Sequence, residues 1–139
     1  MRITQESDYA LKIVTALASY TEVVDAKTLS EETAVTLRFT LKILHKLVLG
    51  GYVNSFKGAK GGYLLAKAPG EITLKNIIEL IDGPIYIARC LENGEACALN
   101  HNKADCIYHH IFDSISLEVA RKLERVSIQD VIDNKYSFE

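Results

Sequence analysis

The sequence predicts a mainly α-helical chain carrying one small β-hairpin, and three of its patterns predict it. Apolar residues recur at three- and four-residue spacing along most of the 139 positions. Two short runs, 52–56 and 63–66, break that rhythm; they flank Lys57-Gly58-Ala59-Lys60-Gly61-Gly62 and read as two strands with their turn. From about Asp105 an apolar row then advances in steps of four through Ile107, Ile111, Ile115, Val119 and Leu123, which makes one long helix.

Each element can be justified in order. Residues 6 to 20 place Ala10, Ile13, Val14, Leu17 and Ala18 on one face of a first helix, for which Ser7 or Asp8 suits the N-cap. After a polar connection, Lys27 to Ala34 fits a short second helix. A third follows with Thr36 as N-cap, and Leu37, Leu41, Leu44 and Val48 are expected to form its core stripe. Gly50-Gly51 ends it, because glycine best tolerates the left-handed conformation beyond a helix. Past the hairpin, Thr73 caps a helix bearing Leu74, Ile77, Ile78 and Ile81, which Asp82-Gly83-Pro84 stops. Ser127 and Asp130 form a capping box for a last short helix ending near Ile132, and the final seven residues are expected to fray.

Composition bounds the class. With 48% apolar and 24% charged residues the chain is an ordinary globular one with a single core. No apolar run approaches a membrane span, and the charged N-terminus lacks the pattern of a secretory signal, so the expected location is the cytoplasm with no membrane partner. Net charge is −2, but it is unevenly placed. Residues 27 to 67 hold seven basic and two acidic residues, an excess of five positive charges, which leaves seven negative charges on the remainder. One face is therefore built for a polyanion.

The third helix carries that face. At about 100° per residue, Arg38, Lys42 and His45 share a narrow arc, with Lys46 beside it. The hairpin tip adds Lys57 and Lys60 among glycines, which let a backbone approach phosphates closely. Helix, turn, basic helix and basic glycine-rich hairpin, in that order, describe a winged helix-turn-helix domain that binds double-stranded DNA. The long helix beyond it is too continuously apolar on one side for a small domain to cover, which calls for a homodimer. The expected organisation is a DNA-binding domain over 1–83, a cysteine-containing loop over 84–106, and a dimerisation helix with the C-terminal helix over 107–139.

All three cysteines, Cys90, Cys97 and Cys106, fall within seventeen positions, spaced C-x6-C-x8-C, with His109 three residues further on. In a reducing compartment an odd, clustered set points to metal or redox work. Soft thiolates select zinc or iron–sulfur clusters, which usually take four ligands, so one remains to be found. The irregular spacing suits structural zinc poorly, since that site favours a close pair of cysteines. An enzyme is not expected: there is no nucleophile elbow, no phosphate loop and no pair of catalytic carboxylates.

The opening MRIT with Tyr9-Ala10-Leu11, the stretches LHKLVLGGYV (44–53), KGAKGGYLL (57–65) and EITLKNIIELIDG (71–83), and the three cysteines resemble a family of bacterial winged-helix regulators. That family includes the iron–sulfur regulator IscR, the nitric-oxide sensor NsrR, the iron regulator RirA and the cluster-free cysteine regulator CymR. The resemblance covers nearly the whole chain. It implies a homodimer on palindromic operator DNA, a repressor in type, with recognition helices in successive major grooves and wings in adjacent minor grooves.

Carried over residue by residue, the base-reading positions are Arg38, Leu41 and Lys42, and the minor-groove position is Lys57. With Thr36 and Lys60 these are the candidate DNA-binding residues. Leu41 and Lys42 stand where IscR has an acidic residue and an amide, so its operator does not transfer. For the fourth cluster ligand the resemblance offers two residues. Asp8 of the partner subunit matches the NsrR-like arrangement on a 4Fe–4S cluster, which the SDYAL context favours; His109 matches the IscR-like arrangement on a 2Fe–2S cluster. His101 and His110 are expected to be bystanders. The alternative is a cluster-free regulator controlled by thiol oxidation, zinc or a protein partner.

Overall fold

The computed structural model describes residues 2–92, 97 and 102–136. Its elements run α1 (Gln5–Leu17), α2 (Ala26–Thr33), α3 (Leu37–Leu49), β1 (Val53–Phe56), β2 (Gly62–Leu65), α4 (Leu74–Asp82), α5 (Ile107–Glu124) and α6 (Ile128–Ile132). This is the expected mainly helical chain with one hairpin.

Side chains from the two ends of the sequence share one core. Ile13, Leu17, Leu29, Ile43, Leu44, Leu47, Ile72, Ile77 and Ile128 are fully buried in a single cluster. Each such aliphatic side chain contributes about 1.5–3 kcal/mol on leaving water. The last helix is sewn in by backbone as well: the Ile128 amide donates to Ile72 O at 2.8 Å and the Leu74 amide to Val126 O at 2.9 Å.

Start signals hold at most helices but move at the first. Thr36, Thr73 and Ser127 cap α3, α4 and α6 as expected, the last two in reciprocal boxes with Asn76 and Asp130. At α1 the cap is Thr4, whose hydroxyl accepts from the Ser7 amide at 3.1 Å, rather than Ser7 or Asp8. Thr4 also donates to Asp82 Oδ1 at 2.5 Å, and its amide reaches Asp82 Oδ2 at 3.3 Å, pinning the start of α1 to the end of α4. Ser7 is instead fully buried, and its Oγ finds no partner among the described residues. Ser7→Ala is therefore expected to stabilise the fold by about 1 kcal/mol, since it removes a desolvated hydroxyl without opening much space. Thermal unfolding of the two proteins side by side measures this.

The core face of α3 differs from the expected one. Thr40, Ile43, Leu44 and Leu47 are buried, while Leu37 and Leu41 are exposed and Val48 is half-buried. Of the expected stripe only Leu44 is fully buried, and Val48 packs half-buried against the core. In α5 the apolar row is as read, but in the single chain Ile107, Ile111 and Ile115 face outward and Ser116 is the buried residue. Ser116 Oγ accepts from the Ile87 amide at 3.0 Å and donates to Phe112 O at 2.8 Å, so it fastens the segment after α4 onto α5. Among the described residues no helix is long and apolar enough to cross a membrane.

Candidate nucleic-acid interface and cysteine segment

The second and third helices are joined by a tight turn in which Ala34 takes the left-handed conformation, φ 57°. Thr36 then starts α3 and accepts from the Phe39 amide at 3.3 Å. Arg38, Leu41, Lys42 and His45 are all exposed along the outer side of α3. The helix is braced from behind by α1, where Tyr9 meets Phe39 edge-on with ring centroids 5.7 Å apart.

The wing is better anchored than a free hairpin. β1 and β2 pair antiparallel, with Val53 opposite Leu65 and Phe56 opposite Gly62. Tyr63 then exchanges both backbone hydrogen bonds with Val24, in the connection between α1 and α2, at 2.8 and 3.0 Å. This single bridge ties β2 to the connection between α1 and α2, and Lys57 and Lys60 stand exposed at the hairpin tip.

One residue of this face escaped the sequence reading. Glu6, in the first turn of α1, reaches Lys46 at 2.6 Å and Lys42 at 3.5 Å. Lys42 also sits over the Phe39 ring, 5.4 Å from its centroid. The hydrogen bond from Lys46, helped by the charges of both lysines and opposed by partial burial, holds the Glu6 carboxyl below its ordinary value of 4.5. A carboxyl with a lowered folded value stabilises the fold above its unfolded value, and that contribution is lost as pH falls through the folded one. Glu6→Gln should accordingly lower stability at pH 7, by a difference that shrinks as pH falls below 4.5, as urea unfolding at pH 7 and at a series of acid pH values would record. The available signal was the acidic residue in the first turn, but nothing local pairs it with lysines 36 and 40 positions away.

The cysteine segment runs from the end of α4 into α5. Cys90 lies in a single 3₁₀ turn (Arg89–Leu91), Cys106 is the N-cap of α5, and Cys90, Cys97 and Cys106 are all half-buried. His109, one turn into α5, packs edge-on against His110 at 5.8 Å, and its buried Nδ1 has no hydrogen-bond partner among the described residues. His110 instead places Nε2 2.8 Å from Ala104 O. His101 lies outside the described residues. Asp8 is exposed on α1, paired with Lys12 at 2.7 Å, a contact that raises the Lys12 ammonium above its usual range.

Among the described residues no three His, Cys, Asp or Glu side chains converge closely enough to hold a metal ion. In kind, the donors nevertheless fit an iron–sulfur group: three thiols on one segment, and a buried imidazole nitrogen whose hydrogen-bonding capacity is unmet.

Residues 3–134 match the model of the Rrf2 family, described as iron-dependent transcriptional regulators. An rrf2-like HTH-type transcriptional regulator of Rhodobacter capsulatus is 30% identical over 137 residues, covering 94% of this chain and 91% of its own. The HTH-type transcriptional regulator NsrR of Bacillus licheniformis is 28% identical over 130 residues, covering 85% and 90%. Among solved structures, CymR, the global cysteine regulator of B. subtilis, superposes with a TM-score of 0.77 at 23% identity, over 98% of this chain and 99% of the other. With a winged helix-turn-helix architecture and a family match spanning nearly its whole length, the chain belongs to the Rrf2 family of transcriptional regulators.

Proposed function

We propose that this chain is a dimeric, DNA-binding repressor whose affinity for a palindromic operator responds to an iron–sulfur cluster held by Cys90, Cys97 and Cys106. The observation that carries the reading is the position of Cys106. It caps α5, the helix whose apolar row is uncovered in the single chain, so ligation there acts beside the surface that a second subunit would bury. Arg38, Leu41, Lys42 and Thr36 on α3, with Lys57 and Lys60 on the wing, form the DNA side.

The fourth ligand on this reading is Asp8 of the partner subunit, on a 4Fe–4S cluster. A carboxylate is a hard, exchangeable donor to iron, so the cluster would be labile at one corner and open to nitric oxide or oxygen. The first turn of α1 then links the two halves of the molecule: Asp8 lies two residues from Glu6, which grips Lys42 and Lys46 of α3, and four from Thr4, which is fixed to Asp82. A pull on Asp8 is thereby a pull on the recognition helix. A second reading, a 2Fe–2S cluster completed by His109, is favoured by its buried, partnerless Nδ1.

Protein purified without oxygen, with iron and sulfide assay and absorption and circular dichroism spectra, tests the proposal for wild type, Asp8→Ala, His109→Ala and the triple cysteine variant. A broad band near 400 nm that becomes labile only in Asp8→Ala supports the first reading, and structured bands sensitive only to His109→Ala support the second. Colourless, iron-free wild type that still binds DNA overturns cluster sensing and leaves a regulator governed by a thiol, zinc or a protein partner.

A further inference from the structure

The N-terminal half of α3 presents an uncovered apolar pair among its charges. Leu37 and Leu41 lie one helical turn apart and are 45% and 44% exposed. They are not needed by the core, which takes Thr40, Ile43, Leu44 and Leu47 from the other side of the helix. Arg38 and Lys42 alternate with them in sequence and are also exposed. These cations commit the face to a polyanion, so whatever covers the leucines must be an apolar group carried by that polyanion.

In the major groove of DNA only one base feature answers that description. The edges of guanine, adenine and cytosine present donors and acceptors, which a leucine would desolvate without compensation, whereas thymine presents its C5-methyl group. We infer that Leu37 and Leu41 read thymine methyl groups, so that each half-site carries thymines beside the base contacted by Arg38. The inference rests on the DNA-binding reading above and adds what the helix selects. Four residues of helix advance about 6 Å, roughly two base steps, so the two methyl groups belong to the same half-site.

The test uses duplexes enriched from a random pool by the full-length protein, with each thymine then replaced singly by deoxyuridine, which differs only by the missing methyl. At two positions per half-site the replacement should weaken wild-type binding about three- to fivefold. Leu41→Ala and Leu37→Ala, whose shortened side chains stop short of the base, should each lose the response at one of those positions, while Lys60→Ala, which removes a charge from the wing, should weaken binding to all duplexes alike and keep both responses. A duplex that is enriched and bound tightly, yet is indifferent to deoxyuridine at every thymine, overturns the methyl readout and leaves DNA binding standing. A pool from which no sequence is enriched overturns both.

Discussion

Gly62→Ala is expected to unseat the wing and cost about 3 kcal/mol, far more than the same change at Gly58. A Cβ on Gly62 would stand 2.3 Å from Val24 O, the carbonyl that accepts the Tyr63 amide, and 2.7 Å from its carbon. Both are backbone atoms, so no side chain can swing away to make room. Its φ of +154° adds to the difficulty, because L-residues rarely adopt it. Gly61 is similarly confined, with a built Cβ 2.3 Å from Phe56 O. At Gly58 the φ is +100° but the space is open, so alanine there should cost about 1–2 kcal/mol of backbone strain. Urea unfolding should rank the variants in this order, and Gly62→Ala should also bind operator poorly, since the strand exchange with Val24 is what holds Lys57 and Lys60 in place.

Arg38→Ala is expected to reduce affinity for the enriched duplex roughly ten- to a hundredfold, equivalent to about 1–3 kcal/mol, and to broaden the choice of base at one position per half-site. Arg38 is exposed near the start of α3, where recognition helices meet base edges, and its planar fork can address two acceptors of one guanine. Lys57→Ala should weaken binding less and evenly across sequences, because a single ammonium at a wing tip serves phosphates. Titrations of both variants against the enriched duplex and its single-base relatives distinguish the two patterns.

Much of the fold was legible because its boundaries are set by local chemistry. Thr36, Thr73 and Ser127 announce helices by satisfying their first amides, and the Gly50-Gly51 pair announces an end, with Gly51 in the left-handed region at φ +81°. The facing of α3 was not legible. Eight of its thirteen residues are apolar and nearly encircle it, so periodicity admits more than one core stripe. Packing against α1, α2 and α4 selects the row through Thr40, whose hydroxyl is accommodated by Val35 O at 3.5 Å. By residue type Thr4, Ser7 and Asp8 are all good caps for α1; the Ser7 amide on the Thr4 hydroxyl and the distant Asp82 carboxylate single out Thr4. The candidate DNA-facing cations Arg38, Lys42, Lys57 and Lys60 stand out in the sequence by charge and by their order along the chain, whereas Glu6 joins them solely through tertiary contact.

That contact gives the recognition helix a counter-ion that cannot diffuse away. When a lysine exchanges a solution anion or bare water for a DNA phosphate, cations condensed on the DNA are released to bulk, and this makes binding weaken steeply with salt. Lys42 and Lys46 arrive with one of their two charges already offset by a tethered carboxylate, which stays in the complex and repels the same phosphates that the lysines attract. The slope of log affinity against log salt should then count fewer charges than the face displays, by roughly 0.9 for the one negative charge retained. Glu6→Gln would restore that increment, so the salt dependence of binding reports directly on whether α1 still holds α3.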